Sequence, residues 1–406
     1  MNEGRCRKRG RPWAQPHLAI CHPTMGQGGS ESRAMWALQA LKNVAEISLV
    51  TTRPVNLLDM NRFYGTNIKM DEIHLRIPPL ARLFNRLYFG DAFRAAAYQR
   101  FCRSISYQFD IMISTYNLCD FGRPGIHFLA DFSWIEAVRN RLHPHPPGLR
   151  SLIHKNRTVR AAYLHLARRV SRPSGRNLFA GEDFIFANSA WSASIFRKHL
   201  GVSLKVIYPP VAQIFHAKRR ENREFGFVCI GRIFPEKRIE RIIDILKKVR
   251  RRGHNIHLHI IGKMNASPYS RLIHNLCRDE KKWVVMEGML AGHEKASVLA
   301  KHRFGIHACL GEAFGIGVAE MVKAGCTTFA PIQGGPAEII DHPSLLYNDA
   351  ADAVDKIDTV LQQPILQNEL QRHLEEKAKN FSVHRFKSGL LSAVEKFMKT
   401  MNIMQQ

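Results

Sequence analysis

The stretch "EFGFVCIGRIFPEKRIERIIDILKKVRRRGHNIHLHIIG" (Glu224 to Gly262) decides the fold. "EFGFVCIG" is a short apolar run closed by glycine, "KRIERIIDILKKVRRRG" an amphipathic helical segment, and "IHLHIIG" a second apolar run. Strand, helix and strand at this spacing make a unit whose two strands pair in parallel across a right-handed crossover. The rhythm continues with "SPYSRLIHNLCRD" as helix, "WVVMEG" as strand, "HEKASVLAKH" as helix and "FGIHACLG" as strand. "GVAEMVKAG" as helix and "TTFAP" as strand complete it, and Gly, Pro or Asn marks most joins.

The first half repeats the theme more loosely. "HLAICHP", "AEISLVTT", "FDIMIST", "GIHFLAD" and "DFIFANS" are expected strands, with "SESRAMWALQALKN" and other long helical stretches between them. The halves meet at "VIYPPV" (Val206 to Val211), where two prolines stiffen an extended link. The expectation is therefore an α/β protein of two doubly wound, Rossmann-like domains facing an interdomain cleft. Residues 1–208 form the first and 209–382 the second, and 383–406 form a C-terminal helix free to cross back to the first. In such sheets ligands lie at the carboxyl ends of the strands.

Length agrees with two domains, since 406 residues exceed one comfortable core. Apolar content of 45% and charged content of 23% suit a globular protein. The net charge of +26, most of it in residues 1–200, points to an anionic partner such as nucleic acid, acidic lipid or a phosphorylated substrate. Eight scattered cysteines without a C-x-x-C pair suggest neither a disulfide framework nor a zinc site, as in a reducing cytoplasm. Neither a signal-peptide core nor a membrane-spanning apolar run is visible.

Three glycine-bearing turns fall at expected strand ends. In "GQGGSE" (Gly26 to Glu31), Gly28 and Gly29 let backbone N–H groups approach a ligand at the positive end of a helix. The turn lacks the G-x-G-x-x-G spacing of dinucleotide sites, and no G-K-[ST] holds a nucleoside triphosphate. In "GRIFPEKR" (Gly231 to Arg238), Arg232 and Lys237 can clamp a diphosphate through charge-assisted hydrogen bonds. In "GEAFGIGVAE" (Gly311 to Glu320), Gly315 and Gly317 free the backbone at a helix start. Glu312 stands before that turn, within reach of a polyol, and Glu320 lies one turn into the helix, placed to meet a ribose. A carboxylate suits paired sugar hydroxyls because it accepts several hydrogen bonds.

The E-x7-E spacing of Glu312 and Glu320 resembles that of the retaining nucleotide-sugar glycosyltransferases of family 4, which have the GT-B fold. The resemblance covers most of the chain: "GGSE" is similar to the family's N-terminal glycine turn, "ANSAWSASIFRKHLG…VIYPPV" to its domain link and "GRIFPEKR" to its phosphate clamp. "GGPAEII" (Gly334 to Ile340) is similar to the turn after the next strand.

The resemblance implies that Glu312 contacts the donor sugar, Glu320 the ribose, and Arg232 and Lys237 the diphosphate. Gly28, Gly29, Gly231, Phe314, Gly315 and Ile316 would complete the donor site. His127, in "GIHFLAD", resembles the histidine that approaches the sugar's 6-position, and Asp131 is a weaker candidate. The implied reaction keeps the anomeric configuration and needs no metal or other cofactor. "FGIGVAE" and "YPPV" look most like the mannosyltransferases that extend lipid-linked oligosaccharides from GDP-mannose, and UDP-sugars stay open as donors.

The acceptor, a glycan or lipid-linked molecule, falls to the basic first half. In "LARLFNRLYFGDAFR" (Leu80 to Arg94), Leu80, Leu83, Phe84, Leu87 and Tyr88 share one helical face opposite Arg82 and Arg86. Such a helix could rest on the anionic inner face of the cytoplasmic membrane, and "IHKNRTVRAAYLHLARRVSR" adds positive charge. Two alternatives remain at this point. One is a nucleic-acid-binding protein, favoured by charge without any recognised binding motif. The other is a GT-B relative acting as a phosphorylase or epimerase.

Overall fold

The computed structural model describes residues 15–79, 90–132, 135, 138, 156–212 and 222–402. Among them the strands form two parallel sheets. The first holds β1 (His17–Cys21), β2 (Glu46–Val50), β3 (His74–Arg76), β4 (Ile111–Ser114), β5 (Ile126–Phe128), β6 (Phe184–Ala187) and β7 (Lys205–Val206). Their order is β3-β2-β1-β4-β5-β6-β7. The second sheet holds β8 (Glu224–Ile230), β9 (Leu258–Ile261), β10 (Val284–Gly288), β11 (His302–Ile306), β12 (Thr327–Pro331) and β13 (Leu346–Tyr347). Its order is β10-β9-β8-β11-β12-β13.

The helices of the first half are α1 (Gly29–Leu41), α2 (Leu57–Tyr64), α3 (Asp91–Ile105), α4 (Arg157–Ser171) and α5 (Ala190–Leu200). In the second, α6 (Ile239–Arg251), α7 (Pro268–Asp279), α8 (Gly292–Lys301), α9 (Ile316–Lys323) and the short α10 (Pro336–Ile340) connect the strands. Then α11 (Ala350–Gln362), α12 (Pro364–Ala378) and α13 (Val383–Thr400) end the described chain.

Burial follows the period-two geometry of a strand covered on both faces. Leu18 and Ile20 of β1 join a core with Met35 and Leu38 of α1, while Ala19 and Cys21 face the other way, toward Tyr98 and Cys102 of α3. Strand order reverses between β1 and β4 in one sheet and between β8 and β11 in the other. At such a reversal the crossovers leave toward opposite faces and open a crevice at the carboxyl ends.

The chain passes between the sheets twice, and the two passages lie side by side. Val211 N–H donates to Phe381 O at 3.2 Å, and Val211 bridges Ser382 in parallel. Beyond that bridge α13 packs on the first domain, where Phe386, Leu390 and Phe397 are buried with β1 and α1. Phe386 stands 6.3 Å from the ring of Phe128, and Phe397 meets Phe184 edge-on at 5.3 Å.

The sequence expectation for "FGIHACLG" needs correcting. The strand spans His302–Ile306, and His307 to Gly311 is loop, because the strand opens on polar His302 and Arg303, which hide its start. The short strands β3, β7 and β13 have two or three residues each, too few to carry a pattern. The expected apolar face of Leu80 to Tyr88 lies outside the described residues.

Phe386→Ala should destabilise the protein by about 3–5 kcal/mol through the cavity it leaves. Urea unfolding monitored by far-UV circular dichroism checks this. A midpoint unchanged from wild type would show that α13 does not complete the first core.

Candidate active site between the two sheets

The first domain's contribution begins after β1, where Gly28 is extended and α1 starts at Gly29. The hydroxyl of Tyr64, at the end of α2, accepts from Gly28 N–H at 2.8 Å and lies 2.9 Å from Gly26 O. Burial pushes the Tyr64 phenol up, so it stays neutral and holds this turn as a hydrogen-bonding hub. A Cβ on Gly29 would stand 2.9 Å from Ile316 Cδ1 of the second domain, so the glycine leaves room for the Ile316 side chain where the two helix starts meet.

Three more groups line the same side. Asp131 follows β5 and accepts from Tyr116 OH and from Asn117 Nδ2, each at 3.0 Å. Arg33 of α1 is only 2% exposed, yet no carboxylate pairs with it among the described residues. Its Nη1 reaches Leu129 O at 3.4 Å and Thr115 O at 3.5 Å, and its guanidinium lies over the Phe128 ring at 5.5 Å. Burial lowers its pKa to about 10, so it still carries a charge at neutral pH.

On the other side, Arg232 follows β8 and lies 4.9 Å over the ring of Phe234. Lys237 sits in a single 3-10 turn, Pro235–Lys237, that stops where Arg238 adopts φ of +51°. The Lys237 ammonium pairs directly with Glu312 Oε2, and His307 Nε2 lies 3.5 Å from the same oxygen. Burial raises the Glu312 pKa, but Lys237 and His307 outweigh it and hold the carboxyl well below its usual range. Burial lowers the Lys237 pKa and Glu312 more than restores it, so the ammonium stays charged. Glu320, in α9, is paired with Lys295 of α8 at 2.6 Å.

The turn between the two glutamates is bound to the first domain. Ser189 Oγ and Ser192 Oγ donate to Ala313 O at 2.5 and 2.9 Å. Glu338 accepts from Ala190 N–H at 3.0 Å, from Trp191 N–H at 3.5 Å and from Tyr208 OH at 3.2 Å, capping α5 from the other domain. Gly315 then turns the chain into α9 at φ of +97°, a conformation open to glycine.

These groups surround one cavity of ≈ 930 Å³. Arg232, Lys237, Glu312 and Glu320 line it, as do Gly28, Gly29, Gly231, Phe314, Gly315 and Ile316. His127 does not, and the reading that brought it to a sugar is corrected. It lies within β5, fully buried, with Nε2 3.1 Å from Asp183 Oδ1 and its ring stacked on Phe121 at 5.1 Å. The loop after β5 delivers Asp131 to the cavity in its place.

Sequence reasoning missed Tyr64, Lys295 and Arg33. Arg33 had a signal: it continues the buried row of Ala37 and Leu41 at helical spacing, where a charge is out of place. His307, Cys309 and Glu312 offer ligand atoms within 4.8 Å of one another, but the ammonium already on Glu312 would repel a cation there.

Residues 211–381 match the family "Glycosyl transferases group 1". The second domain is a group 1 glycosyl transferase domain. Two relatives share the description "GDP-Man:Man(3)GlcNAc(2)-PP-Dol alpha-1,2-mannosyltransferase". The one from Dictyostelium discoideum is 22% identical over 239 residues, 52% of this chain and 46% of the relative. The one from Mus musculus is 27% identical over 172 residues, 38% of this chain and 35% of the relative. The chain thus spans about a third to a half of the length of the curated relatives it matches.

Solved structures extend the likeness to both domains and show the GT-B fold. Sucrose-phosphate synthase from Thermosynechococcus elongatus superposes with a TM-score of 0.70 at 12% identity, covering 95% of this chain and 100% of that one. HepE from Anabaena, in complex with UDP and glucose, gives 0.65 at 14% identity over 94% and 100%. WaaG, a glycosyltransferase involved in lipopolysaccharide biosynthesis, gives 0.64 at 15% identity over 92% and 98%.

The ion pair in this glycosyl transferase domain has a pH signature. A carboxylate whose folded pKa is depressed stabilises the fold fully above its unfolded value and loses that contribution as pH falls through the folded value. The difference in Tm between wild type and Glu312→Gln should hold constant from about pH 5 to 8, above the ordinary Glu pKa of about 4.3. It should close in more acid solution. Calorimetry across this range is the check, and a gap that closes near neutrality would contradict the pairing.

Proposed function

We propose that the chain is a retaining glycosyltransferase that moves a sugar, mannose from GDP-mannose before any UDP-sugar, to a lipid-linked or glycan acceptor. The observation that carries this reading is the convergence of Arg232, Lys237, Glu312 and Glu320 with two helix starts in one interdomain cavity. The descriptions of the mannosyltransferase relatives support the choice of donor.

In this reading Arg232 and Lys237 hold the donor diphosphate, and the N–H groups at the starts of α1 and α9 add the positive ends of two helices. Lys237 exchanges Glu312 for the incoming phosphate, which frees Glu312 to accept hydrogen bonds from the sugar. Glu320 exchanges Lys295 for the ribose. The bond from the anomeric carbon to the diphosphate oxygen then breaks, and the acceptor oxygen forms its bond on the same face. The acceptor proton passes to the departing diphosphate, whose growing charge Arg232 and Lys237 stabilise in place of a metal.

The acceptor approaches from the first domain, past Asp131 and Tyr116. α4 exposes Leu164 and Leu166 beside Arg168 and Arg169, a combination suited to an acidic lipid surface. Among the described residues no helix is long and apolar enough to cross a membrane.

A thermal-shift panel of GDP-, UDP-, ADP- and CMP-sugars tests the donor, because a ligand that binds the folded state raises Tm. GDP-mannose should give the largest rise, and no shift with any sugar nucleotide would sink the reading. With the donor in hand, Glu312→Gln should lower kcat and kcat/KM together, while Glu320→Gln mainly raises the donor KM. Arg232→Ala should cost roughly 10²-fold in turnover, and transfer should persist in EDTA. Steady-state kinetics with identified products checks these effects, and near wild-type rates in the variants would remove those residues from the mechanism.

Cosedimentation with acidic vesicles should weaken steeply with salt, as the Debye length falls to about 8 Å near 0.15 M. Equal binding to neutral vesicles would count against an electrostatic membrane surface.

A further inference from the structure

At the opposite ends of the second domain's strands, away from the cavity, four side chains meet on one face of the sheet. Glu224 opens β8, His302 opens β11, and His257 and His259 flank Leu258 at the start of β9. β8 lies between β9 and β11, so the four span three adjacent strands. The H-x-H spacing turns both β9 imidazoles to the same face. The three rings lie 4.4 to 5.2 Å apart, centroid to centroid.

The central strand makes room for them. A Cβ on Gly226 would stand 2.2 Å from His257 Nε2, so the His257 ring occupies the place of a side chain on β8. His302 is 1% exposed, and neither its Nε2 nor that of His257 has a hydrogen-bond partner. Buried nitrogens without hydrogen bonds cost stability, and among the described residues Glu224 Oε2 is the carboxylate that approaches these, 3.2 Å from His257 Nε2 and 3.8 Å from His302 Nε2.

We propose that Glu224, His257, His259 and His302 form a binding site for a late first-row divalent cation, zinc being the ion that fits three imidazoles and a carboxylate. One ligand atom from each lies within 4.8 Å of the others. Donors on a tetrahedral zinc with bonds of about 2.0–2.1 Å stand about 3.3 Å apart, a distance that small side-chain rotations reach.

The tautomers are already set. Val298 O accepts from His302 Nδ1 at 2.7 Å and Glu287 Oε1 accepts from His259 Nδ1 at 2.5 Å, leaving each Nε2 with its lone pair free. A carboxylate or backbone carbonyl on the far nitrogen is the usual outer partner of a metal-bound histidine. Glu224, half exposed, offers an entry path and the negative charge.

The test uses the full chain without a histidine tag and reads metal, not transfer. After dialysis against buffered Zn²⁺, elemental analysis should find one equivalent bound. Co²⁺ in its place should give the visible absorption of a tetrahedral site without a thiolate charge-transfer band. His257→Gln and Glu224→Gln, both at the surface, should weaken zinc binding at least 10-fold, and Glu287→Gln roughly 10-fold. Zinc should raise the Tm of wild type and not that of His257→Gln. The proposal is overturned if zinc binds equally to these variants, if none binds to wild type, or if a thiolate band places the ion beside Cys309 in the cavity.

Discussion

One carbonyl ties the molecule together. Ala313 O accepts from both Ser189 and Ser192, and it lies between Glu312 and the glycine that starts α9. Ser189 is also the cap of α5, accepting from Ser192 N–H at 2.9 Å, so a helix start in the first domain and the glutamate loop of the second share one set of atoms. Glu338 adds a carboxylate to the same helix end. Burial raises the Glu338 pKa, and the N–H groups it accepts from offset only part of that desolvation. Without this junction neither Glu312 nor Phe314 would have a fixed position against the glycine turn of the opposite domain.

The electrostatics of the cavity follow from its being built for anions. Two of its acidic groups are covered by lysines, Glu312 by Lys237 and Glu320 by Lys295. Among the described residues Arg33 has no such partner, and it is fully buried against carbonyl oxygens and an aromatic face. A buried guanidinium without a counter-charge is destabilising on its own, so its place beside the cavity makes sense if an anion arrives there.

The fold was legible because its pattern is redundant: ten strands of three to seven residues in "EFGFVCIG", "HLAICHP" and similar runs each announce themselves and each agree with parallel pairing. β3, β7 and β13 were not, because a two- or three-residue edge strand has no period to detect. The glycine turns and the E-x7-E spacing were visible as local features. Lys295 and Tyr64 were not, because nothing near them in the chain marks the partner they meet across the fold. His127 misled for a related reason. A histidine in a strand has two faces to choose between, and the hydrogen bond to Asp183 that decides the matter joins residues 56 apart. The imidazoles of β9 and β11 escaped notice likewise, since one glycine on the strand between them is what brings them together.

The return of α13 to the first domain constrains how the protein is made. Phe386, Leu390 and Phe397 leave the ribosome only after the whole second domain, yet they belong to the core that β1 and α1 begin. The second domain, by contrast, is one unbroken segment from Val211 to Phe381. It can therefore close while the first still lacks a wall, reversing the usual order in which domains fold from the N-terminus. Until α13 emerges, the apolar side of the first sheet stays open to water, and a nascent chain halted near residue 380 would present it to chaperones.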